Sequence, residues 1–340
     1  MRPILLALAA SLVLFLPAKA DDVTVAVTAI VEHPALDAAR KGVLDVLTAA
    51  GYKEGENLKF VFESAQGNPA TAAQIARQFA GDEPNVIVPI STPSAQAVVS
   101  ATRDIPVVFT AVSDPLGAQL VKNMDKPGGN VTGLSDMSPV GEHLALIKEI
   151  LPDAKTIGYL YNSGEANSVS LLAVLKAEAE KAGLKVVESA ATKSAEVQGA
   201  ARALVGRADA IYIPTDNTII SALEGAVAVA EESKLPLFTA DTDSVSRGSI
   251  AALGFNYYDV GKQTGEIVVR VLKGDNPGDI AVKTAAGSDL VVNKGGCGQD
   301  GASPLPESVL SRGQQSHRLI GRRSIDHFTF SRSRFARGGG

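Results

Sequence analysis

At 340 residues, with 45% apolar side chains, no Trp and one Cys, the chain has room for two domains of ordinary size, each with a substantial core. Its formal charge of −5 becomes −7 when Arg2 and Lys19 are set aside with the first 20 residues. Residues 296–340 carry seven Arg against Asp300, Glu307 and Asp326, so the body stands near −11, which argues against nucleic acid as a partner. The single Cys297 excludes an internal disulfide.

In chain order, residues 4–16 are apolar behind Met1-Arg2, and Ala18-Lys19-Ala20 is an A-x-A cleavage site. We read 1–20 as a signal peptide and the mature protein as periplasmic. No Cys follows the site, so no lipid anchor is expected there. Strands are expected at 23–28 and 58–63, with a helix over 36–50 stopped by Gly51 and a second over 68–81. Val86-Ile87-Val88-Pro89-Ile90 reads as a buried parallel strand. Ser91-Thr92-Pro93-Ser94 then opens a helix whose free N–H groups suit an anion such as a carboxylate. Capping is the plain alternative for these hydroxyls.

The same device recurs downstream. Strand 209–213, Pro214 and Thr215-Asp216-Asn217 lead into a helix from about 218. The following strand, Ile105-Pro106-Val107-Val108-Phe109, matches Leu235-Pro236-Leu237-Phe238. Upstream, Val25-Ala26-Val27 matches Ile157-Gly158-Tyr159. Three correspondences in one order predict two similar α/β lobes with polar loops at the carboxyl ends of their strands, where open sheets bind ligands. Helices are expected over 142–151, 169–182, 196–205 and 258–272, strands at 185–188, 250–254 and 290–293, and a crossing strand at 130–134. A last short helix is allowed at Pro306-Glu307-Ser308-Val309-Leu310, and the Gly-, Ser- and Arg-rich residues around it read as disordered.

Each candidate residue has two readings. Ser91, Thr92 and Ser94 would hold a carboxylate or cap the helix. Asp216 would pair an ammonium group or serve as an N-cap, with Asn217 beside it. Asp241 lies at a strand end where a turn competes, and Asp114 precedes Pro115, a common turn start. Asn167 and Ser168 open a helix as His33-Pro34-Ala35 does in the first lobe. His33 is placed to form a flat cleft wall, with no second ligand at metal spacing. Glu165 is read as solvated, and His143 as lying on a helix face. Tyr257-Tyr258 would stack on an aromatic ligand or pack within a lobe. No G-x-S-x-G, Walker or H-E-x-x-H motif is found, so neither enzyme nor cofactor is expected.

Taken together, residues 33–42 (HPALDAARKG), 91–97 (STPSAQA), 111–115 (AVSDP), 130–133 (NVTG), 161–168 (YNSGEANS) and 254–261 (GFNYYDVG) resemble the periplasmic substrate-binding components of ABC importers, in the subfamily associated with tryptophan and other aromatic amino acids. The resemblance covers about 23–293. It implies a type I binding-protein fold: two doubly wound parallel-sheet lobes joined by three crossing segments, 21–134 plus about 254–288 and about 135–253 plus 289–312, with 313–340 as a disordered tail. It also implies a small zwitterionic ligand, an aromatic or other apolar amino acid, and a permease and ATPase as partners of a monomeric receptor. A sensing module for a membrane receptor, or an exported enzyme on the same fold, are the competing readings. The chain departs from the family after Asn293, where 296–303 is Gly-rich and holds Cys297.

Overall fold

The computed structural model describes residues 22–293, 305–315 and 319–320. The expected signal peptide, Cys297 and most of the 313–340 tail lie outside the described residues. In the first half, β1 (Val23–Ala29), β2 (Leu58–Ser64), β3 (Val86–Ile90), β4 (Val107–Val112) and β5 (Val131–Ser135) alternate with α1 (Pro34–Ala49), α2 (Pro69–Asp82) and α3 (Thr92–Ala101). After α4 (Val140–Ile150) the second half runs β6 (Thr156–Tyr161), α5 (Ala166–Lys181), β7 (Lys185–Ala190), α6 (Val197–Arg202), β8 (Ala210–Ile213), α7 (Asn217–Ser221), α8 (Leu223–Ser233), β9 (Leu237–Thr239) and β10 (Ala251–Gly254). The chain continues through α9 (Tyr257–Leu272), β11 (Lys283–Thr284), β12 (Asp289–Asn293), α10 (Glu307–Gln315) and β13 (Leu319–Ile320).

Two sheets result, in the orders β11-β5-β4-β3-β1-β2 and β13-β12-β10-β9-β8-β6-β7. Without their last-added strands the two orders are the same, so the internal correspondence seen in the sequence is a correspondence of topology. Among the described residues every ladder is parallel except β10 with β12. The central strands are apolar throughout because helices cover both faces: β3 and β4 are wholly buried. Pro89 has no N–H to give, and the β3–β4 register skips it, running from Ile87↔Val107 to Ile90↔Thr110.

The chain passes between the sheets three times, after β5, after β10 and after β11. Leu134, Phe255, Val260 and Ala285 pack together there as a small buried cluster. The α9 helix leaves the second sheet to pack on α1 in the first lobe. The two approach so closely that a Cβ at Gly261 would lie 2.0 Å from the Ala39 carbonyl oxygen.

Five residues of the expected disordered tail, 313–315 and 319–320, fall in regular structure. The boundary drawn at 312 falls inside α10, which runs to Gln315, and β13 pairs Leu319 and Ile320 with Val292 and Asn293. The short helix allowed at 306–310 is the first part of α10: Leu305 and Val309 are four residues apart and bury their side chains in the second-lobe core. Ser308 and Arg312 then bind Glu149 on α4. The helix expected over 196–205 is also shorter, a single 3-10 turn (Ser194–Glu196) followed by α6.

Candidate functional site

A cavity lies between the lobes, at the carboxyl edges of both sheets. The first lobe contributes His33, Ala35, Leu36 and Ala111, and the second contributes Asn167, Thr215, Asp216, Asn217, Ile220 and Asp241. Asp136, from the first crossing segment, and Tyr257, from the start of α9, complete it.

The second-lobe wall is held by two buried carboxyls. Asp216 is the N-cap of α7, accepting from the Ile219 N–H at 2.8 Å through Oδ1. Its Oδ2 accepts from the Asn162 N–H at 2.6 Å and the Ser168 hydroxyl at 2.5 Å. The capping reading of Asp216 holds, and the same residue lines the cavity. Ser168 is fully buried behind it and does not reach the lining. Burial pushes the Asp216 carboxyl well above the usual carboxylate range, and the nearby Glu165 charge pushes the same way.

Glu165 corrects the sequence reading. It is only 4% exposed, and it accepts from Asn217 N and Nδ2, Thr218 N and Oγ1, and Asn167 Nδ2. A five-residue helix cannot hold itself in place, and this carboxylate ties its first turn to the start of α5. The spacing of Glu165 from Asn167 looks like an exposed loop because its partners lie about 50 residues downstream. Asn167 also donates to the Thr215 carbonyl at 2.8 Å, and its Oδ1 is buried without a partner.

In the first lobe, Ser91, Thr92 and Ser94 are all buried, and none of their hydroxyls has a partner among the described residues. Ser91 makes no side-chain cap, which rules out the capping reading for it, and it sits at φ 77°, a left-handed conformation unusual for a residue with a Cβ. These three stand at the same sheet edge as the cavity but are not among its lining residues. A β-bulge with Ala111 at φ 54° turns the end of β4 into the lining. His33 is a half-buried wall whose Nδ1 lacks a partner; burial and then Arg247 hold its pKa down to about 3, so it is neutral.

Asp136 is a site residue that the sequence reading misses. It is 2% exposed and accepts from Ser113 Oγ at 3.0 Å and from the Tyr257 hydroxyl at 2.6 Å. An acid directly after a crossing strand was the available signal. Burial raises its pKa. Asp241 accepts from Ser244 N at 2.9 Å and Ser244 Oγ at 2.6 Å, so the turn role is real, while the carboxyl still lines the cavity; burial raises it to about 6. Tyr257 faces the cavity, whereas Tyr258 bonds Asp45 outside it. His143 is buried against Tyr212, with Nδ1 and the hydroxyl 2.7 Å apart. Asp114 is not brought into the lining. Its Oδ1 accepts from Gly117 N and its Oδ2 from Ser170 Oγ, across the cleft.

The arrangement therefore joins three buried carboxyls to flat and aliphatic walls, and no Lys or Arg is among the lining residues. Comparison with known proteins places this geometry. A protein named tyrosine-binding protein, from Clostridioides difficile, is 42% identical over 270 residues, 79% of this chain and 78% of the relative. A Streptococcus structure described as an ABC domain in complex with L-Trp is 38% identical and superposes with a TM-score of 0.84, over 88% of this chain and all of the other. A ligand-free, open substrate-binding protein from Clostridium difficile is 41% identical and gives 0.66, over 88% and 99%. The model of the ABC transporter substrate-binding protein family matches residues 24–317, and the chain belongs to that family.

Proposed function

We propose that this protein is the exported receptor of an ABC uptake system, closing two lobes over an aromatic amino acid in the periplasm and passing it to a permease and its ATPase. The observation that carries the ligand assignment is the trio Asp136, Asp216 and Asp241, buried at one cavity without a cationic side chain in its lining. A buried carboxyl is costly unless a positive group or hydrogen bonds compensate it, and an α-ammonium supplies that group. The first turn of α3, with the hydroxyls of Ser91, Thr92 and Ser94 unpartnered, is assigned to the α-carboxylate. Each such hydroxyl left unmet costs about 1–3 kcal/mol, so a bound anion has a strong claim on them. Leu36 and Ile220 with the rings of His33 and Tyr257 offer slots for a flat side chain.

The named relatives support this reading, one by a tyrosine-binding name and one by a bound L-Trp. At nearly equal identity, the tryptophan complex superposes better than the open form, in keeping with a closed arrangement of the lobes. The test is thermal denaturation of the purified protein with each of the twenty amino acids, followed by calorimetry on those that stabilise it. L-tryptophan and L-tyrosine should give the largest stabilisation. A profile led by acidic, basic or small amino acids would overturn the assignment.

A further inference from the structure

We propose that the turn Ser113-Asp114 is the latch that holds the lobes shut, and that Asp114 is a positioning residue that never touches ligand. This inference rests on the receptor reading for its ligand arm only. Two side-chain hydrogen bonds that join the faces of the two lobes start from this turn. Ser113 Oγ lies 3.1 Å from Thr215 Oγ1, and Ser170 Oγ donates to Asp114 Oδ2 at 2.9 Å. Ser113 has one proton, which it gives to Asp136 Oδ1, so Thr215 is the donor to Ser113. A directed relay thus runs from the second-lobe wall through Ser113 to Asp136, at the first crossing segment.

The Asp114 half is built for the same contact. The Gly117 N–H turns the carboxylate through Oδ1 and leaves Oδ2 free to meet Ser170 on α5. A Cβ at position 117 would push the Asp114 carboxylate aside, since it would lie 2.2 Å from Asp114 Oδ2 and 3.1 Å from Ser170 Oγ. The constraint at 117 is this side-chain contact and not the backbone, which is not left-handed. Hinge opening separates these partners, so the bonds belong to the closed state alone. They favour it without favouring any ligand contact.

The test combines a mutant cycle with a ligand-free readout. Asp114→Ala, Ser170→Ala, their double variant and Gly117→Ala are measured for L-tryptophan by calorimetry and stopped flow. Each single variant should release ligand about three- to tenfold faster, with little change in association rate. The double variant should be no worse than either single, as expected of one shared interaction. Melting temperatures without ligand should stay at the wild-type value. Unchanged release, or losses that add in the double variant, would overturn the latch. Independently, spin labels at Arg77→Cys and Glu231→Cys in a Cys297→Ser background report the interlobe distance with and without L-tryptophan. Ser170→Ala should lower the closed population. A closed population that L-tryptophan does not increase, but that Ser170→Ala lowers, would defeat the ligand assignment and leave the latch standing. Equal closed populations in both proteins, or none in either, would overturn the latch.

Discussion

Replacing Asp216 by Asn keeps the shape of the side chain and removes its charge, and its hydrogen bonds fix the consequences. The cap survives, because Oδ1 still accepts from Ile219 N. On the other side the new amide would face the Asn162 N–H, 2.6 Å from the present Oδ2. Two donors then oppose each other, and a buried N–H loses its acceptor at a cost of about 1–3 kcal/mol. Ser168 can rotate its hydroxyl and accept instead. For ligand, the variant loses a charge-assisted partner for the ammonium, about 1.5–3 kcal/mol, or roughly ten- to a hundredfold and more in affinity. The decisive arm is pH. Burial and Glu165 raise the free-state pKa of Asp216, while a bound ammonium lowers it, so binding expels a proton. Wild-type affinity should rise with pH until the free-state pKa is passed, and the gap between wild type and Asp216→Asn should narrow towards acid. Calorimetry with L-tryptophan at several pH values reads both effects. A lowered melting point without ligand, with an affinity equal to wild type at every pH, would refute Asp216 as a ligand residue and leave it a cap.

Glu165→Gln should destabilise the ligand-free protein by about 1.5–3 kcal/mol, because one acceptor facing the first turn of α7 becomes a donor; urea unfolding measures it. His143 is neutral and buried, with its pKa held down to about 4 from 6.5. The unfolded chain therefore binds the extra proton first. The stability contribution is full above 6.5 and is lost as pH falls from there towards 4, in total about 3 kcal/mol. His143→Gln should flatten that part of the stability–pH profile. Val309→Ala should cost about 2 kcal/mol, since Val309 is fully buried in the second-lobe core, and a value near zero would mean that α10 does not dock in solution.

The two lobes were legible because their central strands are fully covered and so appear as short apolar runs, each ending in a polar loop. Pro89 and Pro214 marked where those loops begin, and the matched order of β3-β4 and β8-β9 gave the duplication. Site residues on those loops, Asp216 and Asn217 above all, could be picked out for the same reason. Asp136 could not, because its place at the cavity depends on how the first crossing segment meets Tyr257, 121 residues later. Glu165 was misread because its donors come from the other half-site of the same lobe. Asp114 was placed at the right edge and its turn role holds, while sequence could not show that the same carboxylate also meets Ser170 of the other lobe. The helix allowed at 306–310 was the start of α10, but its extent was not legible, because it docks through few apolar residues, Leu305, Val309 and Leu310, and through contacts of Ser308 and Arg312 with Glu149, more than 150 residues earlier.

The central claim is that Asp136, Asp216 and Asp241 receive an ammonium group while the first turn of α3 receives a carboxylate. The most direct measurement is the calorimetric affinity of L-tryptophan against indole-3-propionate, which keeps the ring and carboxylate and lacks the ammonium. At pH 8 the analogue should bind about a hundredfold more weakly or not detectably, because it leaves the buried carboxyls unpaired. Binding of the analogue at the strength of L-tryptophan would contradict the account.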